Sequence, residues 1–375
     1  MLAAAMAVSA AGCADQSWSY KTNDASLSTG TYIYNLLNGY YEAYDLVESP
    51  DEAKDILEVE VTGSDDDAQT KTVEQYAYDV ADKTSMRMLA VEDLFKNYGL
   101  EFDETQDEAA KSYASQVWTT AKKTLEGYGI GEESFNYCYA DYMVKYGQVF
   151  DYLYGQDGEK YVTDEDLNKY FTDNYHGYAY FSVDMSDTND DGETVAKSDE
   201  EFEKAESSFK KYADMINTKG KDYKAVVTQY IKDYELDSDP TSSGSLKADD
   251  STAIDADVVE KINELEEGKA DVVKTGENET TKYYLVYRPK NSEIEDYYDD
   301  DSSFGIPVTS EDDDEVFVYD LKSGHTRTSL ITEMKSDDFE QYLDDHAKAI
   351  SVQKNDAALK KYKAKMFVTK DTDEE

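Results

Sequence analysis

The stretch HGYAYFSVDM (176–185) decides how the chain is read. Tyr178, Tyr180 and Ser182 alternate with Ala179, Phe181 and Val183, the two-residue period of a strand with unlike faces. A second run, KYYLVYR (282–288), reads as another strand. Between the two, spacing predicts a polar loop, helices at about 198–217, 221–233 and 255–266, and a turn-rich loop, DSDPTSSGSLKADD (237–250). Strand–helix–helix–helix–strand in so short a stretch predicts a compact α+β domain over residues 173–289.

Outward from that domain the pattern changes period. TYIYNLLNGYYEAYDLV (31–47) puts Ile33, Leu37, Tyr40, Tyr41 and Tyr44 on one helical face. Helices are also predicted over 72–98, over 105–127 (closed by Gly127 and Gly129) and over 131–155, where Cys138 reads as a buried, inert thiol. Thr163 is a predicted N-cap for 162–174, with Asp166 three residues on. Residues 13–172 thus read as a helical domain, 290–315 as an acidic, self-repelling linker, and 316–375 as a C-terminal segment whose helix (327–362) packs back on the first domain. The expected fold class is α+β: a mainly helical domain, built from N-terminal helices and the C-terminal helix, with the smaller α+β domain inserted.

The chain has 375 residues, with 84 acidic against 37 basic side chains and a formal charge of −47. That balance argues against nucleic acid as a partner, because phosphate binding needs clustered Lys and Arg. It keeps the chain soluble, and it is also suited to attracting basic or unfolded cationic chains or to holding divalent cations weakly. Aromatic content is mostly Tyr, 34 residues against 12 Phe and 2 Trp, and Tyr packs its ring while its hydroxyl stays wet. Cys13 and Cys138 are the two cysteines, in unlike contexts, so no structural disulfide is expected.

MLAAAMAVSAAGC (1–13) is small, apolar and ends in Gly-Cys, after which the chain turns polar. It looks like the end of a lipoprotein-type signal peptide over 1–12, with Cys13 as the lipidated residue; an ordinary secretory signal or a short buried helix are the alternatives. The first reading puts the protein on the outer face of the cytoplasmic membrane, anchored through Cys13. No other run approaches the ~18 apolar residues of a membrane span.

Several segments together resemble a known family. Residues 162–174 resemble the segment that exported foldases of the PrsA/SurA type place before their parvulin peptidyl-prolyl isomerase domain. KDYKAVVTQYIKD (221–233), SGSLK (243–247) and VVEKINELEEGKADVVKTGENETTKYYLVYR (258–288) resemble successive parts of that domain, ending in a helix, a Gly and two strands. The resemblance implies a helical chaperone domain carrying a parvulin-like domain, and unfolded or partly folded exported proteins as partners. It places Tyr180 and Tyr284 where the family has its paired histidines, Asp233 where it has the acid near the substrate carbonyl, and Ile231 where it has a Ser. Ile254 and Val258 fall where it lines the proline pocket, and Phe181 joins them as a substrate-binding residue. No cofactor or metal is implied. An isomerase favours a twisted peptide bond, whose rotation costs ~18–20 kcal/mol, by holding the proline ring in an apolar pocket and setting polar groups around the carbonyl. Tyr180 and Tyr284 either supply hydroxyls for that purpose or are core packing in a domain without catalysis. The alternative function is a non-catalytic surface lipoprotein that binds a solute or a protein partner.

His176 shares the parity of Tyr180, so it faces the same side of the strand, but lies ~13 Å back along it at 3.3 Å per residue. DTNDDG (187–192) has Asp187, Asn189 and Asp191 at calcium-loop spacing, yet the twelfth position is Ser198, with Glu200 two residues late, and a polar turn is the favoured reading. His325 and His346 have no partners at metal-ligand spacing and read as surface residues. No Walker loop, GxSxG or HExxH motif is present.

Overall fold

The computed structural model describes residues 17–50, 53–63, 69–155, 158–247, 254–290 and 327–368. Cys13, His325, the signal-like N terminus and the acidic stretch from 291 lie outside them. In chain order the elements are β1 (Trp18–Lys21), β2 (Ser26–Ser28), α1 (Thr29–Asp45), β3 (Glu60–Val61), β4 (Lys71–Thr72), α2 (Val73–Asn97), α3 (Glu104–Tyr128), α4 (Glu132–Asn136), a π-helical turn (Tyr137–Asp141) and α5 (Tyr142–Tyr154). There follow α6 (Asp164–Asn174), β5 (Tyr175–Asp184), β6 (Ser186–Thr188), β7 (Thr194–Ala196), α7 (Asp199–Asn217), α8 (Tyr223–Asp233), β8 (Ser242–Lys247), α9 (Ala256–Glu264), β9 (Lys269–Thr275), β10 (Lys282–Arg288), α10 (Arg327–Ala349), β11 (Gln353–Lys354) and α11 (Asp356–Leu359). The chain divides into two compact units, residues 1–161 with 335–375, and residues 162–334.

In the first unit, α1 and α2 bury facing stripes: Ile33, Leu36, Leu37 and Tyr40 on one, Ala77, Ala81, Met88 and Leu89 on the other. Each helix starts on a hydroxyl cap that satisfies a free backbone N–H: Ser28 accepts from Thr31 at 2.9 Å, and Thr72 from Gln75 at 3.2 Å. The buried Asn35 amide donates to the Ser85 hydroxyl at 3.1 Å, which itself donates to the Ala81 carbonyl. From residue 335 onward the chain adds Phe339, edge-on to Tyr146 and Phe150 with centroids at 4.8 and 5.2 Å. Arg87 of α2 is held between Glu340 and Asp344 at 2.7 and 2.6 Å. His346, read as a surface residue, instead meets Asp93 at 2.7 Å and is only 22% exposed. The helix expected over 327–362 stops at Ala349, because Gln353–Lys354 pairs with β1 in a small sheet ordered β11-β1-β2. The segment 131–155 is helical but not uniformly α; its π turn sits around the buried Cys138.

The second unit is built on an antiparallel sheet ordered β8-β5-β10-β9. α6 carries the predicted capping box, Thr163 and Asp166 serving each other's backbone N–H. Ser198 and Glu201 cap α7 the same way, which uses Ser198 for the helix. The stretch 237–250, read as a loop, contains strand β8; its serines and Gly244 look like turn residues, but β5 supplies the hydrogen-bond partner that composition does not show. Within Asp187–Gly192, Asp187 belongs to β6 and the β6–β7 turn starts at Asn189, whose Oδ1 accepts from the Asp191 and Glu193 N–H groups. On the outer edge of β9, Asn217 donates to the Ala270 carbonyl at 2.7 Å and accepts from its N–H at 3.0 Å, as a neighbouring strand would. Among the described residues no helix is long and apolar enough to cross a membrane.

Two glycines in helices test the packing. A Cβ on Gly39 would lie 2.7 Å from the Ala77 carbonyl oxygen, whereas one on Gly147 would meet nothing within 4 Å. Gly147→Ala should stabilise by about 0.5–1 kcal/mol through helix entropy. Gly39→Ala should lose that gain and destabilise by about 1–3 kcal/mol as α1 and α2 are forced apart. Urea unfolding of the two variants against the parent chain reads both signs.

Candidate functional site

β5 and β10 are neighbours at the centre of the sheet, with Tyr180 opposite Val286 and Ser182 opposite Tyr284. Side chains alternate across a sheet, so this register puts His176, Tyr178, Tyr180, Ser182 and Asp184 of β5 on one face with Lys282, Tyr284, Val286 and Arg288 of β10. Ala179, Phe181, Val183, Tyr283, Leu285 and Tyr287 take the other. That second face is the main core: Phe181 is fully buried and stacks on Tyr230 at 4.2 Å, among Phe209, Tyr212 and Tyr223 of α7 and α8.

The first face has a thinner cover. Its apolar floor is Leu246, Val273 and Val286 with Val258 and Ile262 of α9, against which Tyr178, Tyr180, Tyr284 and Ile254 pack half-buried. The Tyr180 and Tyr284 rings meet edge to face at 5.6 Å, and Tyr178 stacks beside Tyr180 at 6.0 Å. Gly244 permits this: a Cβ there would sit 2.8 Å from the Tyr178 hydroxyl. At the rim, Lys282 bridges to Asp184 at 2.9 Å. Burial raises the pKa of Tyr284, with Lys282 opposing and Asp255 adding to the rise, and burial also raises that of Tyr178. Both hydroxyls therefore stay protonated at neutral pH and able to donate. The arrangement offers ring surface, an apolar floor and hydroxyl donors, which suits holding an extended chain.

The expected residues divide between the two faces. Tyr180, Tyr284, Ile254 and Val258 come together on the first, although Val258 is fully buried and can only support the floor. Phe181 and Asp233 lie with the opposite face. Asp233 ends α8 with both oxygens engaged, one by the Tyr212 hydroxyl at 2.8 Å and one by Gln229 at 2.7 Å, so the acid expected beside the tyrosine pair is not there. Ile231 packs at the margin of the same core. His176 does share the face of Tyr180, with Nδ1 at 3.0 Å from Asn263 Oδ1 of α9. Tyr178, Asp184, Lys282 and Asp255 were missed; the first three follow from parity once the register is known, but register is not written in either strand alone.

Desolvation, and then the charge of Arg288, lower the pKa of His176 below its ordinary value. The folded state thus disfavours the imidazolium, and the stability this group contributes is complete above the unfolded-state pKa near 6.5 and lost as pH falls through the lower folded value. An NMR titration of the His176 ring should give a midpoint below that of an exposed histidine. The fall in unfolding free energy on acidification from neutral pH should be shallower in His176→Gln.

No family model matches the chain, and no curated protein matches it. Among solved structures it is similar to the foldase protein PrsA from Streptococcus pneumoniae, at 14% identity and a TM-score of 0.32, over 81% of this chain and 98% of that one. It is also similar to the foldase protein PrsA from Lactococcus lactis, at 14% identity and a TM-score of 0.31, over 94% of this chain and 98% of that one. Likeness at this level carries no inference about chemistry.

Proposed function

We propose that this is an exported, membrane-anchored foldase of the holding kind, which binds unfolded or partly folded exported proteins and carries the first face of its four-stranded sheet as a peptide-binding surface. The observation that carries the reading is that face: Tyr178, Tyr180 and Tyr284 set half-buried over an apolar floor, with hydroxyl donors at Tyr178 and Tyr284. The order of the units adds support, since residues 162–334 interrupt a unit made of 1–161 and 335–375. Anchoring through Cys13 at the outer face of the cytoplasmic membrane belongs to the same proposal and rests on the sequence of residues 1–13 alone.

Holding is favoured over isomerisation on geometric grounds. Catalysis of peptide-bond rotation needs polar groups converging on one carbonyl while the proline ring is held. Here Asp233 serves Tyr212 and Gln229 on the far side of the sheet, and the Tyr180 and Tyr284 rings pack edge to face on each other. Rings and hydroxyls at such a face bind extended segments without favouring one twist of the peptide bond over another.

The full chain should suppress aggregation of a reduced, unfolded client and leave proline cis–trans exchange in a model peptide at its uncatalysed rate. Tyr180→Ala with Tyr284→Ala should weaken binding of an extended peptide without unfolding the chain, because neither ring lies in the main core. Exchange accelerated by the parent chain and abolished in that double variant would restore the catalytic reading. Absence of any client binding would sink the foldase reading altogether.

A further inference from the structure

We infer that the outer edge of β9, where it borders α7, takes up a short extended segment of unfolded polypeptide by strand addition, recognised through its backbone. The inference rests on the client-binding reading above and adds a second peptide site, away from the tyrosine face. Successive residues of an antiparallel strand alternate between bonding to the neighbouring strand and pointing away from it. Asn217 bonds both the N–H and the C=O of Ala270 from outside the sheet, which fixes the phase. Ala270, Val272 and Lys274 direct their backbone groups outward, while Asp271, Val273 and Thr275 serve β10. Asp271 Oδ1 accepts from the outward Val272 N–H at 2.8 Å. The Val272 C=O and both backbone groups of Lys274 remain, and among the described residues no hydrogen bond from outside the sheet reaches them.

The edge borders a trough of about 600 Å³, walled by Glu206, Lys210 and Asp214 of α7 and lined below by Ala213, Val272 and Tyr283. Ala213 and Tyr283 are buried and Val272 is half-buried, so the base is apolar. The volume falls within the range of ligand clefts, about 300–1,000 Å³. Side-chain charge does not choose the occupant. Lys210 is paired with Glu206, Lys219 with Asp214 at 2.7 Å, and Asp271 meets Lys261 at 3.5 Å. The Lys274 ammonium lies over the Phe202 and Tyr283 rings, 5.8 and 5.9 Å from their centroids. What stays unmet is the partial charge of the peptide groups, and the complement of carbonyls and an N–H along a strand edge is the backbone of another extended chain. Asn217 limits the length of that ladder, because its carboxamide already fills the position at Ala270, so an added segment bonds only along Val272–Lys274. A second copy of this chain is the wrong occupant, since two molecules of formal charge −47 repel each other. An unfolded segment supplies the backbone and can lay an apolar side chain on Ala213 and Val272.

The test uses the full chain and a labelled, end-blocked peptide of alternating Val and Ser, beside the same peptide N-methylated at its central residues. Hydrogen exchange resolved to single amides is the first readout. The Lys274 N–H should exchange freely in the chain alone and slow about tenfold when the plain peptide is saturating, as a newly formed backbone hydrogen bond requires. The N-methylated peptide, unable to donate, should bind about tenfold more weakly. Lys274→Pro removes the outward N–H and leaves the β9–β10 ladder intact, since proline is tolerated on the open side of an edge strand. It should weaken the plain peptide to the level of the methylated one. Should that variant fail to fold, the amide measurement on the parent chain decides by itself. Equal binding of the two peptides, or a Lys274 amide unmoved by bound peptide, overturns the inference. So does a Lys274 amide protected without peptide in a chain that sediments as a dimer, which would give the edge to a second copy. If the chain suppresses aggregation of an unfolded client while the Lys274 amide stays unmoved, this inference alone fails and the foldase reading stands. If neither client nor peptide binds, both fail.

Discussion

The second unit depends on one antiparallel pairing, that of β5 with β10. Each outer strand is attached through one of the two, β8 through β5 and β9 through β10, so neither edge has a place without the centre. The pairing also sets which side chains face which layer. In the observed register Phe181 and Leu285 enter the core with α7 and α8, while Tyr180 and Tyr284 face α9. A slip of one residue would exchange the two sets and put Phe181 under the thin cover and Tyr180 into a core shaped for Phe. The tyrosine face is therefore a by-product of the packing on its reverse: the larger cluster fixes the register, and the tyrosines take what remains.

The composition becomes intelligible through the same rings. With 34 tyrosines and more than twice as many acids as bases, the chain lacks enough cations to neutralise its carboxylates. Tyrosine hydroxyls take part of that work. Tyr212 donates to Asp233, Tyr76 to Glu42, Tyr137 to Glu92, and Tyr20 and Tyr175 reach Asp82 and Glu333. A ring buried for its apolar area and a hydroxyl bound to a carboxylate serve core and surface with one side chain. Burial and the neighbouring carboxylate both raise the hydroxyl pKa of Tyr20, Tyr137 and Tyr212, so these donors stay protonated. The bias toward Tyr that looks like a binding signature in the sequence is, at most of these positions, structural.

What sequence alone conveyed was local chemistry. The alternation around Phe181, the Thr163 cap, the helix end at Gly129 and the buried Cys138 all depend on residues within a turn or two of each other, and all are present, although Gly127, also expected to close that helix, lies within it. What it withheld was partnership across distance. β8 hides in serines and a glycine because its pairing with β5 is a tertiary fact, and β11 ends the C-terminal helix early for the same reason. Asp233 shows the limit most clearly. Its position in the sequence segment suits an acid facing the tyrosine pair, but α8 rests on the opposite side of the sheet, and Tyr212 has taken the carboxylate.

Asn217 has a meaning beyond its two hydrogen bonds. β9 closes the sheet on one side, and a bare outermost strand would be a template for any extended chain that came near. The carboxamide completes Ala270 on that margin, while Asp271 takes up the next backbone donor, at Val272. An extended chain that zipped onto that margin would itself present a bare outer strand and recruit more. A single amide at the end of a helix thus occupies, at Ala270, backbone groups through which a further strand would join the β9 side.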